Sequence, residues 1–336
     1  MPPEHKLNTN HRAGKPQRPL MDHSARYKTL KQRLDHGDIV ILDGATGTEL
    51  QRRGVDMDPS AWCGVASLAN QAVLTDIHRD YIAAGAEVIT ANTFASARVV
   101  LKQAGYGDQT EAINRAAVEA ALRARDLSGN PEVVVAGSLS HMVYLASDRV
   151  PPPAQMPSEA EAAESFAELA MLLKDAGVDL LLLEMMYHPT RTPKVVAAAL
   201  ATGLPVWFGL SARRGADGHL LSFFKEADIP LAEIVQMIPE RGIDAAGVMH
   251  TGAEITGEAL TQVRKRFKGP LTAYPDSGYF EMPDWRFHDV IAPARLEQFY
   301  LDWLDQGVQV IGGCCGLTVE HIKAAVHARD RYQNAL

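Results

Sequence analysis

What most constrains this chain is an alternation that repeats eight times. Short apolar runs rich in β-branched residues fall at 39–44, 87–94, 132–139, 179–186, 205–212, 245–250, 270–276 and 308–315. Between them lie longer segments whose apolar residues recur at three and four positions, including 74–84, 109–127, 158–176, 258–267, 293–306 and 319–332. The longer segments carry the period of amphipathic helices and the short runs the residue types of buried strands, so the chain reads as successive βα units. Ser158 and Gly177 bracket one helical segment with start and stop signals. The strand candidates are apolar on both faces, as when helices cover a sheet outside and packed side chains fill it inside. Eight such units predict the α/β class and a single (β/α)8 TIM barrel, for which 336 residues exceed the roughly 250 required.

No low-complexity linker divides the chain, so the barrel is expected to span 28–336. Residues 1–27, rich in Pro, His, Lys and Arg and without an apolar face, are expected to form a disordered tail. The Pro-containing stretches 144–157 and 277–293 read as loops over a site. A net charge of -8 offers no basic field for a phosphate backbone, which argues against nucleic acid as a partner. Three cysteines, two of them adjacent, do not make a disulfide framework, and no apolar run approaches the roughly 18 residues of a membrane span. A reducing, cytoplasmic setting is the expectation, with no membrane partner.

In a barrel of this kind the chemistry gathers where the strands end. Here the strands end on Asp43, Asn92 with Thr93, Ser138, Glu184, Ser211, His250, Asp276, and Cys314 with Cys315. Turn formation can explain Ser138, Ser211 and Asp276 without any function. It does not account for Gly312-Gly313-Cys314-Cys315-Gly316, where two adjacent thiols on a glycine-flanked turn can face one ion. Zinc takes thiolate and imidazole ligands, and a catalytic zinc keeps three protein ligands and one open position. His250 is the best third ligand. Against this stand plainer readings: the cysteines as small buried apolar residues or a strained vicinal disulfide, and His250 as a hydrogen-bonded core residue. Cys63, beside Trp62, reads as structural.

The stretches "LDGATGTELQRRG", "HRDYIAAGAEVITANTF", "VVVAGSL", "DLLLLEMM", "YPDSG" and "GGCCG" occur in an order and spacing that resemble the homocysteine S-methyltransferase family over about residues 41–325. The resemblance implies a zinc-dependent enzyme that moves a methyl group from a small sulfonium or quaternary ammonium donor to the thiol of homocysteine or a relative. It also implies that Cys314 and Cys315 are paired zinc ligands and that Asp43 and Glu184 hold the acceptor's ammonium group. The positions of the two acids, ending the first and fourth strands across the barrel mouth, agree with that role. Backbone amides near Gly44 and Ala45, and the Thr93 region, are natural partners for an amino-acid carboxylate. A cationic donor fits aromatic faces, with Trp62, Phe94 and Tyr187 foremost and Tyr144, Phe208, Tyr274 and Tyr279 as further candidates. The expected partners are thus a small-molecule acceptor and donor, with a homo-oligomer left open.

The chain departs from the family pattern at three places. The family's third cysteine is replaced by His250, Asn after the seventh strand by Asp276, and a Gly-Pro turn after the third strand by Ser140-His141. Imidazole can substitute for thiolate on zinc, but it leaves the site one charge less negative. A bound thiol is then more acidic and less nucleophilic, which favours a reactive donor. The departures also keep open a hydrolytic enzyme in which the metal activates water, and a barrel that binds a thiol without turnover.

Overall fold

The computed structural model describes residues 23–145, 152, 155–281 and 286–335. All eight expected strands form: β1 (Val40–Ile41), β2 (Val88–Ala91), β3 (Val134–Ser140), β4 (Leu180–Met186), β5 (Val206–Leu210), β6 (Ala245–Gly252), β7 (Leu271–Asp276) and β8 (Val308–Ile311). They pair in parallel in the order β1-β8-β7-β6-β5-β4-β3-β2, and a parallel bridge between Leu42 and Val88 joins β1 to β2 and closes the ring. Each parallel connection must cross over through a helix, which is why helices such as Gln71–Ala84, Thr110–Ser128 and Glu159–Ala176 ring the strands. Ser158 starts the last of these with a reciprocal capping box, and Gly177 ends it in the left-handed conformation.

Alternation along the strands sorts the core into two layers. Ile41, Ile89, Val135, Leu181, Phe208 and Val248 face the helices. Val40, Leu42, Val88, Val134, Leu182, Trp207 and Tyr274 fill the barrel. Helix α1 (His23–Asp35) joins the inner layer through Tyr27, Leu30 and Leu34 and closes the amino-terminal end of the barrel. The expected disordered tail therefore does not extend to residue 27. The last residues of that stretch belong to this helix, with Arg26 and Tyr27 buried, because sparse apolar residues can still anchor a segment that also supplies buried polar contacts. Residues 1–22 lie outside the described part. Among the described residues, no helix is long and apolar enough to cross a membrane.

The loops expected over the site each contribute described residues to it, although 146–151, 153–154 and 282–285 lie outside the description. Residues 277–293 contain a two-stranded ribbon, Tyr279–Glu281 with Arg286–His288. A second ribbon, Ala212–Arg214 with Leu220–Ser222, follows β5 and was not foreseen.

Candidate active site

A cavity of about 450 Å³ opens at the carboxyl ends of the strands. Asp43, Gly44, Ala45, Trp62, Phe94, Glu184, Tyr187, His250, Cys314 and Cys315 all line it. Of the acceptor-binding candidates named from sequence, Thr93 does not, and of the other strand-end residues Ser211 and Asp276 do not. The Thr93 hydroxyl donates to the Ser138 carbonyl and ties β2 to β3. Thr90, three residues earlier and on the inward parity of β2, lines the cavity in its place. The Ala45 amide is also committed, donating to the Leu317 carbonyl at 2.9 Å, so among the two named amides only that of Gly44 is left for a ligand. Phe208 is core and Tyr279 is an exposed residue of the ribbon.

The two acids are held differently. Asp43 accepts from the Thr90 amide at 2.7 Å and the Thr90 hydroxyl at 2.9 Å. Glu184 accepts from the Ser138 hydroxyl. Burial pushes Asp43 up to about 7, against the Thr90 hydrogen bonds and with help from the Glu184 charge. Burial likewise pushes Glu184 up to about 7, against the Ser138 hydrogen bond and the nearby His250. Two carboxyls that resist ionisation in one cavity make a site for a cation, whose charge relieves both.

Opposite them, one ligand atom each of His250, Cys314 and Cys315 lies within 4.8 Å of the others. Cys314 Sγ is 3.7 Å from His250 Nδ1 and 3.9 Å from Cys315 Sγ. Tetrahedral zinc, with bonds of about 2.3 Å to sulfur and 2.0–2.1 Å to nitrogen, would separate two sulfurs by about 3.8 Å and sulfur from nitrogen by about 3.6 Å. The donor set and its spacing therefore fit a metal ion. Gly316, at φ +80°, closes the cysteine turn beneath the Ser277 carbonyl, where a side chain would collide at 2.2 Å.

Local backbone strain brings His250 in. Ala246 and Val248 face the helices, so strict alternation would turn His250 outward too. A shift of register between Met249 and Gly252, with His250 at φ 42°, swings the imidazole into the cavity instead. Met185, at φ 55° beside a similar shift in β4, turns inward in the same way. Strained residues and bulges collect at the rims of barrels where side chains must be re-aimed. Burial opposes protonation of His250, but Asp276 and Cys314 outweigh it and raise the imidazole to about 9. Cys315 and burial push the Cys314 thiol upward. A dication would displace both protons.

The aromatic wall is larger than expected. Trp62 and Phe94 meet edge to face at 6.4 Å, with the Trp62 ring packed over Gly47, where a Cβ would come within 2.3 Å of it. Tyr187 packs on Phe223 at 5.6 Å, and Phe223 meets His250 at 5.1 Å. Phe223, Phe224, Phe280 and Phe287, all lining residues, come from the two ribbons and their flanks. Nothing in the sequence signals them, since they are brought to the mouth by long-range packing. The Ser140-His141 departure lies behind this wall: Ser140 donates to the Phe94 carbonyl at 2.9 Å, and His141 accepts from the Tyr187 amide while packing edge-on against its ring at 4.4 Å. Cys63 also borders the cavity; it is buried, its thiol donates to the Asn92 side-chain oxygen, and its carbonyl accepts from the Asn92 side-chain amide.

Residues 40–329 match the family model described as homocysteine S-methyltransferase. The chain belongs to that family. The homocysteine S-methyltransferase of Escherichia coli is 30% identical over 317 residues, covering 90% of this chain and 98% of the relative. A selenocysteine Se-methyltransferase from Brassica oleracea var. italica is 24% identical, covering 87% of this chain and 89% of its own. Among solved structures, the metallated form of the E. coli homocysteine methyltransferase MmuM is similar with a TM-score of 0.68 and 26% identity, over 90% of this chain and 99% of that one. Its oxidised form gives a TM-score of 0.70 at 27% identity, over 89% and 99%. As a family member the chain is an S-methyltransferase on a TIM barrel, and its substrates are small molecules.

Proposed function

We propose that this family member transfers a methyl group to the sulfur of homocysteine or a closely related amino-acid thiol, with zinc held by His250, Cys314 and Cys315. The donor is a small sulfonium or quaternary ammonium compound. The observation that carries this reading is the pairing of a zinc-spaced His/Cys/Cys set with two ionisation-resistant acids in one cavity. Bound zinc supplies a Lewis acid that keeps the acceptor's sulfur in the thiolate form near neutral pH, below the roughly 8.5 of a free thiol. Asp43 and Glu184 hold the acceptor's ammonium group, which fixes the distance from amino-acid head to sulfur. Gly44 lines the same cavity, and its amide suits the carboxylate. Trp62, Phe94, Tyr187 and Phe223 present aromatic faces to a cationic donor and exclude water from it. The sulfur lone pair forms the new S–C bond as the donor's bond to carbon breaks, and its electrons leave on a neutral thioether or tertiary amine. Holding both partners in line is the barrel's main contribution.

The test is metal analysis followed by assay of the loaded protein with homocysteine and, in turn, S-methylmethionine, S-adenosylmethionine and betaine. Methionine should form from at least one donor and not in Cys315→Ser. Fully loaded protein that methylates no thiol from any donor would refute the reading.

A further inference from the structure

Two of the three departures from the family pattern, distant in sequence, meet in space. Asp276 Oδ2 lies 3.7 Å from His250 Nε2, while Nδ1 of the same ring faces Cys314 Sγ at 3.7 Å. We propose that Asp276 is the positioning residue of His250: its carboxylate holds the Nε2 proton, commits Nδ1 to the metal and returns the negative charge lost with the third cysteine. The proposal rests on the metal reading above. Histidines that bind metals usually donate their other ring N–H to a carboxylate, carbonyl or water, which fixes tautomer and ring orientation. At 3.7 Å the pair is in ion-pair range, longer than a direct hydrogen bond, with the carboxylate on the Nε2 side of the ring.

The backbone holds this arrangement in register. The Cys314 amide donates to the Pro275 carbonyl at 2.8 Å, and the Ser277 amide to the Cys315 carbonyl at 3.0 Å. Asp276 thus sits between two hydrogen bonds that lock its strand end to the cysteine turn. Gly252, just past the kink at His250, pairs with Asp276 across β6 and β7. Phe223 covers the imidazole from another side, and Glu184 and Cys314 are the other ionisable groups whose charges reach it. Turn formation does not explain the acid. A turn Asp takes a nearby backbone amide, and among the described residues Asp276 makes no such bond; its one ion pair is to His250. An Asn would serve a turn equally well but could not restore the charge. The two changes therefore act as a unit, Asp276 accompanying His250 as Asn accompanies Cys in the family pattern.

A double-mutant cycle on the full-length protein tests this. Zinc affinity is measured by chelator competition for the parent, Asp276→Asn, His250→Cys and the double variant, with melting of the metal-free proteins to check folding. In the parent, Asp276→Asn should weaken zinc 10- to 100-fold, in line with the loss of such partners in other metal sites. In the His250→Cys background the same change should cost nothing or strengthen binding, because a thiolate needs no proton acceptor and gains from losing a neighbouring negative charge. Asp276→Glu should recover part of the parent affinity. Equal losses in both backgrounds, or no loss in a zinc-binding parent, overturn the proposal while leaving the metal site standing. A folded parent that binds no zinc overturns the metal reading itself, and this proposal with it.

Discussion

The two ends of the barrel handle buried polar groups in opposite ways. At the amino-terminal end the buried charges are paired within the fold: Arg26 donates to Asp179 at 2.8 Å and to the Pro131 carbonyl at 2.7 Å, and Asp179 also accepts from the Val135 amide. Tyr27 donates to Asp244 at 2.8 Å and accepts from Trp207 at 2.9 Å. At the carboxyl end two acids sit well above their ordinary range, Met185 and His250 occupy strained backbone, and the Tyr274 hydroxyl is buried without a partner. The first end satisfies its charges within the fold. The second leaves interactions for ligands to complete.

Substitutions at the two ends should therefore separate stability from activity. The largest effect is expected from Cys315→Ser, which removes a proposed metal ligand: metal affinity should fall by more than the about 100-fold that losing an outer partner costs, with methyl transfer lost alongside. Elemental analysis after gel filtration reads the metal, and thermal melting checks that the fold survives. Next comes Arg26→Ala, which takes from buried Asp179 its nearest cation, leaving Arg125 at 3.8 Å and the Val135 amide, and should cost about 2 kcal/mol in denaturant unfolding, the scale of a hydrogen bond to a charged group. Its kcat/KM at low temperature should stay within about twofold, since Arg26 lies at the far end from the cavity.

Asp43→Asn should do the reverse. The folded state raises this carboxyl from 3.8 to about 7, so it binds more protons than the unfolded state between those values, and stability falls as pH rises across that window. An amide can accept from the Thr90 amide and donate to the Thr90 hydroxyl, so the variant should be about 2 kcal/mol more stable at pH 8, the gain vanishing near pH 4. Acceptor binding should collapse in the same variant. In the parent, calorimetry with norleucine, which carries the amino-acid head without sulfur, should show affinity rising as pH passes through about 7, where the acids ionise. The smallest effect is expected at Phe223→Leu, which should raise the donor KM by about fivefold, the scale of one exposed cation–π contact, and leave the acceptor KM unchanged.

The barrel was legible in the sequence because apolar periodicity reports burial directly, and every strand candidate lies on an observed strand. Glu184, Asp276 and Cys314 were legible as strand-end residues and fall on the inward parity of their strands, with Leu182, Tyr274 and Val310 before them. His250 is legible from its chemistry alone, because its parity along β6 points outward and only the kink there turns it in. Thr93 was misplaced for the converse reason, since a polar residue past a strand end can as well bind backbone as face a cavity. Helix α1 and Phe223 were not legible. One is secured by scattered polar contacts and the other is carried in by a ribbon, and neither depends on a local pattern.

The central claim is that His250, Cys314 and Cys315 hold a zinc ion whose remaining position takes the acceptor's sulfur. X-ray absorption at the zinc edge of the loaded protein, recorded with and without homocysteine, addresses it most directly. One nitrogen and two sulfur neighbours should be seen alone, with sulfur at about 2.3 Å, and a third sulfur should appear when homocysteine is added. A sulfur shell that does not grow with homocysteine, or that survives unchanged in Cys314→Ser, would contradict the account.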